Sequence, residues 1–189
     1  MPKVKIDNLE VPYSVVNRSI HFPRLEFRTG NLLVVLPKHG REATSIIEKH
    51  KKWILEKRLA IDAALLRSTE KKLVQTRSTE DLKKMVYSLI REFSAIYGFQ
   101  VKNTYFRKMN SKWASHSSKD NLTINTEIKY LPRTSIEYII YHEMVHSLER
   151  KHNPRFWKII ERRFKGYKKK EKELMTYWFL IQNHIGKGE

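Results

Sequence analysis

Three histidines and a glutamate stand at spacings that suit a metal ion and a base. The run His142-Glu143-Met144-Val145-His146 places two imidazoles four residues apart. On a helix such residues lie one above the other and can ligate a single ion. Glu143 projects about 100° from His142, beside the ion rather than onto it, and a carboxylate so placed can take the proton of an activated water. His152 follows six residues after His146. Catalytic zinc commonly takes three protein ligands and leaves one position for water. The expected centre is therefore one zinc per chain held by His142, His146 and His152, with Glu143 as the catalytic base. Glu161, one or two turns into the following helix, is the competing third ligand. His21, His39, His50 and His184 sit in no ligand pattern.

The elements that must hold these side chains are legible around them. After Pro132, Thr134-Ser135-Ile136-Glu137 has the reciprocal pattern of a capping box and predicts the start of the HExxH helix. Asn153-Pro154 is an N-cap and first-turn pair, so a new helix begins directly after His152 and the chain must turn between the two. An earlier helix is predicted to start at Thr79, as its N-cap, and to end at Gly98, with Leu82, Met85, Val86, Leu89, Ile90, Phe93, Ile96 and Tyr97 on its apolar face and Glu80 and Asp81 at its positive end. Residues 99–107 and 122–128 alternate as strands, and the second is a candidate to pair with an extended substrate. Residues 4–37 read as an antiparallel meander turning at Thr29-Gly30-Asn31, and residues 41–66, without Gly or Pro, as one long amphipathic helix. The polar stretch at 68–78 is the expected joint. The predicted organisation is α+β: residues 1–78 form a β-meander plus long helix, and residues 79–189 form a catalytic domain, its active helix packed on a small antiparallel sheet, with a basic C-terminal helical region.

Composition bounds the possibilities. The 189 residues include no Cys, which excludes disulfide scaffolds and Cys-ligated zinc ribbons, and 40% are hydrophobic, enough for a sizeable core. No stretch approaches the ~18 consecutive apolar residues of a membrane span, and residues 1–16 lack an apolar signal region, so a soluble cytoplasmic protein is expected. The net charge is +18, and residues 150–172, with 11 basic and 2 acidic side chains, supply half of it. Such density attracts polyanions. Arg162, Arg163, Lys168, Lys169 and Lys170 are the candidate nucleic-acid contacts, against the plainer reading of a solvated helix face.

Several further anchors occur in one order. They are Asn17-Arg18-Ser19-Ile20, Gly30-Asn31-Leu32, Leu36-Pro37 and Lys51-Lys52-Trp53-Ile54, then Lys112-Trp113-Ala114-Ser115-His116-Ser117-Ser118-Lys119 and Asn121-Leu122 to Asn125, and finally Leu131-Pro132, Ile136-Glu137-Tyr138, the HExxH run and His152-Asn153-Pro154-Arg155-Phe156-Trp157. With these the chain resembles the YgjP-like metallopeptidase domain. The resemblance implies a zincin-like fold, zinc on His142, His146 and His152, Glu143 as catalytic carboxylate, and kinship with SprT-like and Spartan-type proteases that act on protein crosslinked to DNA. The chain departs from the family at Trp113-Ala114-Ser115-His116, where Trp-Gly-Ser-Cys is usual. His116 is then either a cleft residue or a space filler, and Trp113 a core or loop anchor.

The leading function is zinc-dependent hydrolysis of peptide bonds in a protein or peptide substrate, with nucleic acid as an additional partner through residues 150–172. A different zinc hydrolase, such as a nucleotide pyrophosphatase, is the enzyme alternative, although the chain has no Gly-rich phosphate loop. A nucleic-acid-binding module with a structural metal is the third reading. It needs a fourth protein ligand, for which Glu161 and His116 are the candidates.

Overall fold

Period-two alternation at the start of the chain and 3.6-residue periodicity after it give the α+β architecture that the sequence predicts. The computed structural model describes residues 1–28, 31–38, 42–68 and 70–185, the side chains of Arg28, Asn183 and Ile185 excepted. They form two compact units, Met1–Thr69 and Glu70–Glu189.

The first unit holds strands β1 (Lys3–Ile6), β2 (Leu9–Arg18), β3 (Arg24–Arg28) and β4 (Asn31–Pro37), in the order β1-β2-β4-β3. The expected antiparallel meander is corrected at one pairing, because β2 and β4 run parallel, with Tyr13 opposite Leu32 and Asn17 opposite Leu36. The cause is β4 itself. Its run from Leu32 to Leu36 is buried throughout, and a continuous apolar strand needs neighbours on both sides. It therefore takes a central place, with β3 antiparallel on its other edge. Thr29 and Gly30 of the expected turn lie outside the described residues, as do His39 and Arg41.

The predicted long helix is two helices, α1 (Ala43–Lys49) and α2 (Lys51–Ser68). The break falls at His50, whose N–H bonds to the Ile47 carbonyl at 3.1 Å. It lets the adjacent Ile46 and Ile47 both reach the core formed with Leu32, Val34, Leu36 and Ile54. No Gly or Pro marks it.

The second unit begins with α3 (Thr79–Tyr97), which Ser78 caps in a reciprocal box with Asp81, one residue before the expected cap. Gly98 closes it at φ 69° in the left-handed region. Strands β5 (Asn103–Arg107), β6 (Ala114–His116) and β7 (Asn121–Asn125) follow in the order β5-β7-β6. The sheet is mixed rather than antiparallel: β7 runs parallel to β5 and antiparallel to β6. A chain that must leave β5, cross to β6 and return through a tight turn at Asp120 puts β7 in the middle, aligned with β5. Helices α4 (Arg133–Val145), α5 (Pro154–Arg163) and α6 (Tyr167–Ile185) complete the unit. The core between α3, the sheet and α4 includes Phe93, Leu122, Ile124, Ile136, Ile140 and Met144. Among the described residues no helix is long and apolar enough to cross a membrane.

Candidate metal centre

The HExxH helix is fixed by burial on most of its circumference. Ile136, Tyr138, Ile139, Ile140, Tyr141, Met144 and Val145 of α4 are all buried, which leaves one strip for function. The expected capping box at its start does not form. Pro132 takes the N-cap position, and Glu137 pairs instead with Arg133 at 3.2 Å. Helix α5 starts as the sequence predicts, with Asn153 accepting from the Phe156 N–H at 3.0 Å and Pro154 in the first turn.

The intervening turn brings His152 onto the two helical histidines. One ring nitrogen from each of His142, His146 and His152 lies within 4.8 Å of the others, and Nε2 of His142 and Nε2 of His152 are 2.9 Å apart. His146 Nδ1 donates to the Glu149 carbonyl at 3.0 Å, which leaves its Nε2 as the acceptor. Burial and the proximity of the other two imidazoles push His142 down to about 3, and burial lowers His146 and His152 as well. Three neutral nitrogens converging on one point are the donor set that zinc takes, so these residues fit the ion. Glu161 is exposed on α5 and is no member of the cluster.

The surroundings of these histidines include residues that sequence reasoning missed. Glu171, on α6, sets Oε1 3.8 Å from His142 Nδ1, a buried atom with no hydrogen-bond partner among the described residues. The Tyr138 hydroxyl, one turn before His142 on α4, donates to the same Glu171 oxygen. Desolvation and that carboxylate raise the Tyr138 phenol above its ordinary range, so it remains a donor. His152 is held by stacking: Trp157 lies on it with ring centres 5.5 Å apart, donates its indole N–H to the His152 carbonyl at 3.1 Å, and is itself stacked on Tyr167 at 4.8 Å. A Tyr four residues before His142, on the same helix face, was a usable signal. Glu171 carried none, because one acidic residue in a lysine run reads as a solvated face.

Glu143 faces β6. Burial pushes its carboxyl up to about 7, with the nearby backbone N–H of His116 and Lys112 pulling the other way. A carboxylate titrating there is poised to accept and release a proton at neutral pH. His116 itself turns inward. Its side chain has no exposed surface, its Nε2 contacts the Gln100 carbonyl at 3.4 Å, and its imidazole is pushed down by burial. Buried Asn125 shapes the loop before β6, donating to the carbonyls of Met109 and Lys112 and accepting from the Met109 and Glu127 N–H groups. Trp113 packs edge-on against Trp178 at 4.8 Å, the anchoring role expected of it.

The five basic candidates separate. Arg163 is absorbed into the structure, its guanidinium 4.9 Å over the Phe93 ring and 3.4 Å from both Glu92 and the Tyr97 hydroxyl. Lys170 contacts Thr134 at 3.1 Å and Glu173 at 3.4 Å. Arg162, Lys168 and Lys169 are exposed.

Comparison with known proteins bears on this site directly. Residues 67–177 match the family model described as YgjP-like, metallopeptidase domain. Among solved structures, the crystal structure of the metallopeptidase zymogen of Pyrococcus abyssi abylysin is similar at 26% identity and a TM-score of 0.45, over 49% of this chain and 93% of its own. That of the metallopeptidase zymogen of Methanocaldococcus jannaschii jannalysin is similar at 26% identity and a TM-score of 0.40, over 50% and 91%. None of the curated proteins matches the chain.

Proposed function

Because the chain belongs to the YgjP-like metallopeptidase family, we propose that it hydrolyses peptide bonds at a zinc centre formed by His142, His146 and His152, with Glu143 as general base, and that catalysis resides in residues 79–189. The observation that carries this reading is the convergence of three neutral imidazole nitrogens with a carboxylate raised to about 7 on the next residue of the same helix. One zinc ion held there supplies a Lewis acid and lowers the pKa of water toward neutrality. Glu143 takes the proton of the attacking water and hands it to the leaving amine.

The polypeptide substrate docks at β6 rather than at β7. The expected docking strand at 122–128 is paired on both sides and ends in a 3-10 turn at Thr126–Tyr130, so it has no edge to offer. Of the two edge strands, β6 is the one with several contacts to α4. Its inner side bonds to β7 through the Trp113 carbonyl and the Ser117 N–H, so alternation turns the backbone groups of Ala114 and His116 outward. Contact with nucleic acid through residues 150–172 is a second reading, supported by exposed Arg162, Lys168 and Lys169. Glu143→Gln tests the main one: zinc content by elemental analysis stays at about one per chain, while cleavage of casein falls by several orders of magnitude. Equal cleavage by the variant removes Glu143 as base.

A further inference from the structure

On the other side of α4 from Glu143 lies a hollow of roughly 410 Å³. Tyr141 turns about 100° from His142 in the direction opposite to Glu143, and with Tyr97 and Phe99 it forms the aromatic base of this hollow. Leu148 and Ile159 are its aliphatic walls, and Leu148 is 51% exposed. The lining is completed by Arg155, Lys158, Arg162 and Arg163, with no acidic side chain among the lining residues.

The cations are placed at a local cost. Arg155, Lys158 and Arg162 stand three, four and seven residues apart on α5, where like charges repel. Arg155 is also in the first turn, at the positive end of the helix. Arg163 is compensated by Glu92; no carboxylate forms an ion pair with the other three among the described residues. An apolar hollow under three unpaired cations matches a ligand with an apolar body and flanking negative charge.

We propose that this hollow is an exosite for an acidic segment of the polypeptide substrate, with one apolar side chain entering between Leu148 and Ile159 and carboxylates on either side meeting Arg155, Lys158 and Arg162. The choice of a polypeptide rests on the peptidase reading above and on three further observations. From Arg155 to Arg162 the helix rises about 10 Å, the span of roughly three residues of extended chain. The walls are aliphatic, and the half-buried Tyr97 is stacked on Phe99 at 5.3 Å with further rings against its edges, so it offers a nucleobase a poor platform. Leu148 and Arg155 lie two and three residues beyond His146 and His152, so the hollow adjoins the metal centre along both segments.

The test is fluorescence anisotropy with a labelled peptide carrying one leucine between pairs of glutamates, using the full chain with Glu143→Gln so that no cleavage intervenes. Binding is expected at low salt, weakening as salt rises, and falling about tenfold or more in Arg155→Ser/Lys158→Ser/Arg162→Ser, whose sites are exposed and leave the core intact. Ile159→Asp should weaken it too, while the same peptide with lysines in place of glutamates should not bind. Absence of binding, or equal binding by the triple variant, overturns the proposal. Tighter binding of a single-stranded oligonucleotide with the same loss in the triple variant overturns it in favour of nucleic acid. Because binding needs neither zinc nor turnover, failure of the peptidase reading would leave this measurement standing, and the converse.

Discussion

Glu171 is expected to tighten zinc binding through His142. Its Oε1 is 3.8 Å from Nδ1 of that ring, and the Tyr138 hydroxyl holds the same oxygen in place. A carboxylate on the far nitrogen of a ligand imidazole fixes the tautomer and raises its basicity. At 3.8 Å the carboxylate is beyond hydrogen-bond reach and acts on the ring through its charge; groups behind a ligand imidazole typically change metal affinity by about 10- to 100-fold, and with the Glu171 side chain 45% exposed, solvent screening keeps the effect at the low end. A tenfold change in affinity is about 1.4 kcal/mol. Glu171→Gln keeps the shape and removes the charge. Competition against a chromophoric chelator at neutral pH should therefore show zinc held about tenfold more weakly, with far-ultraviolet circular dichroism unchanged. Tyr138→Phe should produce a smaller fall, because the carboxylate is released but not removed. Wild-type affinity in Glu171→Gln would refute the reasoning and leave Glu171 as a surface group of α6.

Two further outcomes follow from the same centre. His152→Ala should lose most of its zinc while Glu161→Ala keeps it, since Glu161 is exposed on α5 away from the cluster; the reverse pattern in elemental analysis would move the third ligand. In metal-free protein Glu143 is raised from 4.5 to about 7, so the folded state holds its proton more tightly than the unfolded state, and that stability is present below pH 4.5 and lost as pH rises through 7. Glu143→Gln should then match wild type in urea unfolding at about pH 4.5 and exceed it by about 2 kcal/mol at about pH 8, after discounting for partial exposure, and equal stability at both would contradict the burial argument.

What the sequence disclosed and what it hid divide along physical lines. The HExxH pair and the Asn153-Pro154 start were legible because helix periodicity and capping are local. The meeting of His152 with the other two histidines followed from that forced turn. Strand direction was not legible: the parallel pairings of β2 with β4 and of β5 with β7 are set by which strand is buried on both edges, a tertiary choice. β6 was hidden in a Ser-rich stretch because three residues carry no periodicity, although it is the strand that packs against the HExxH helix. Thr134 and Glu137 had the letters of a capping box, but the chain begins the helix from Pro132 and spends Glu137 on Arg133. The basic run likewise hid three different fates, with Arg163 consumed by packing, Lys170 by Thr134 and Glu173, and Arg162 left at the mouth of the hollow.

The central claim, that His142, His146 and His152 form one zinc centre, is tested most directly by zinc K-edge X-ray absorption on the zinc-loaded protein. Three imidazole nitrogens at about 2.0–2.1 Å, with the remaining position filled by a light atom from solvent, are predicted, and one of the three should disappear in His152→Ala. A fourth protein ligand, or a first shell in which a carboxylate replaces an imidazole and His152→Ala changes nothing, would contradict it.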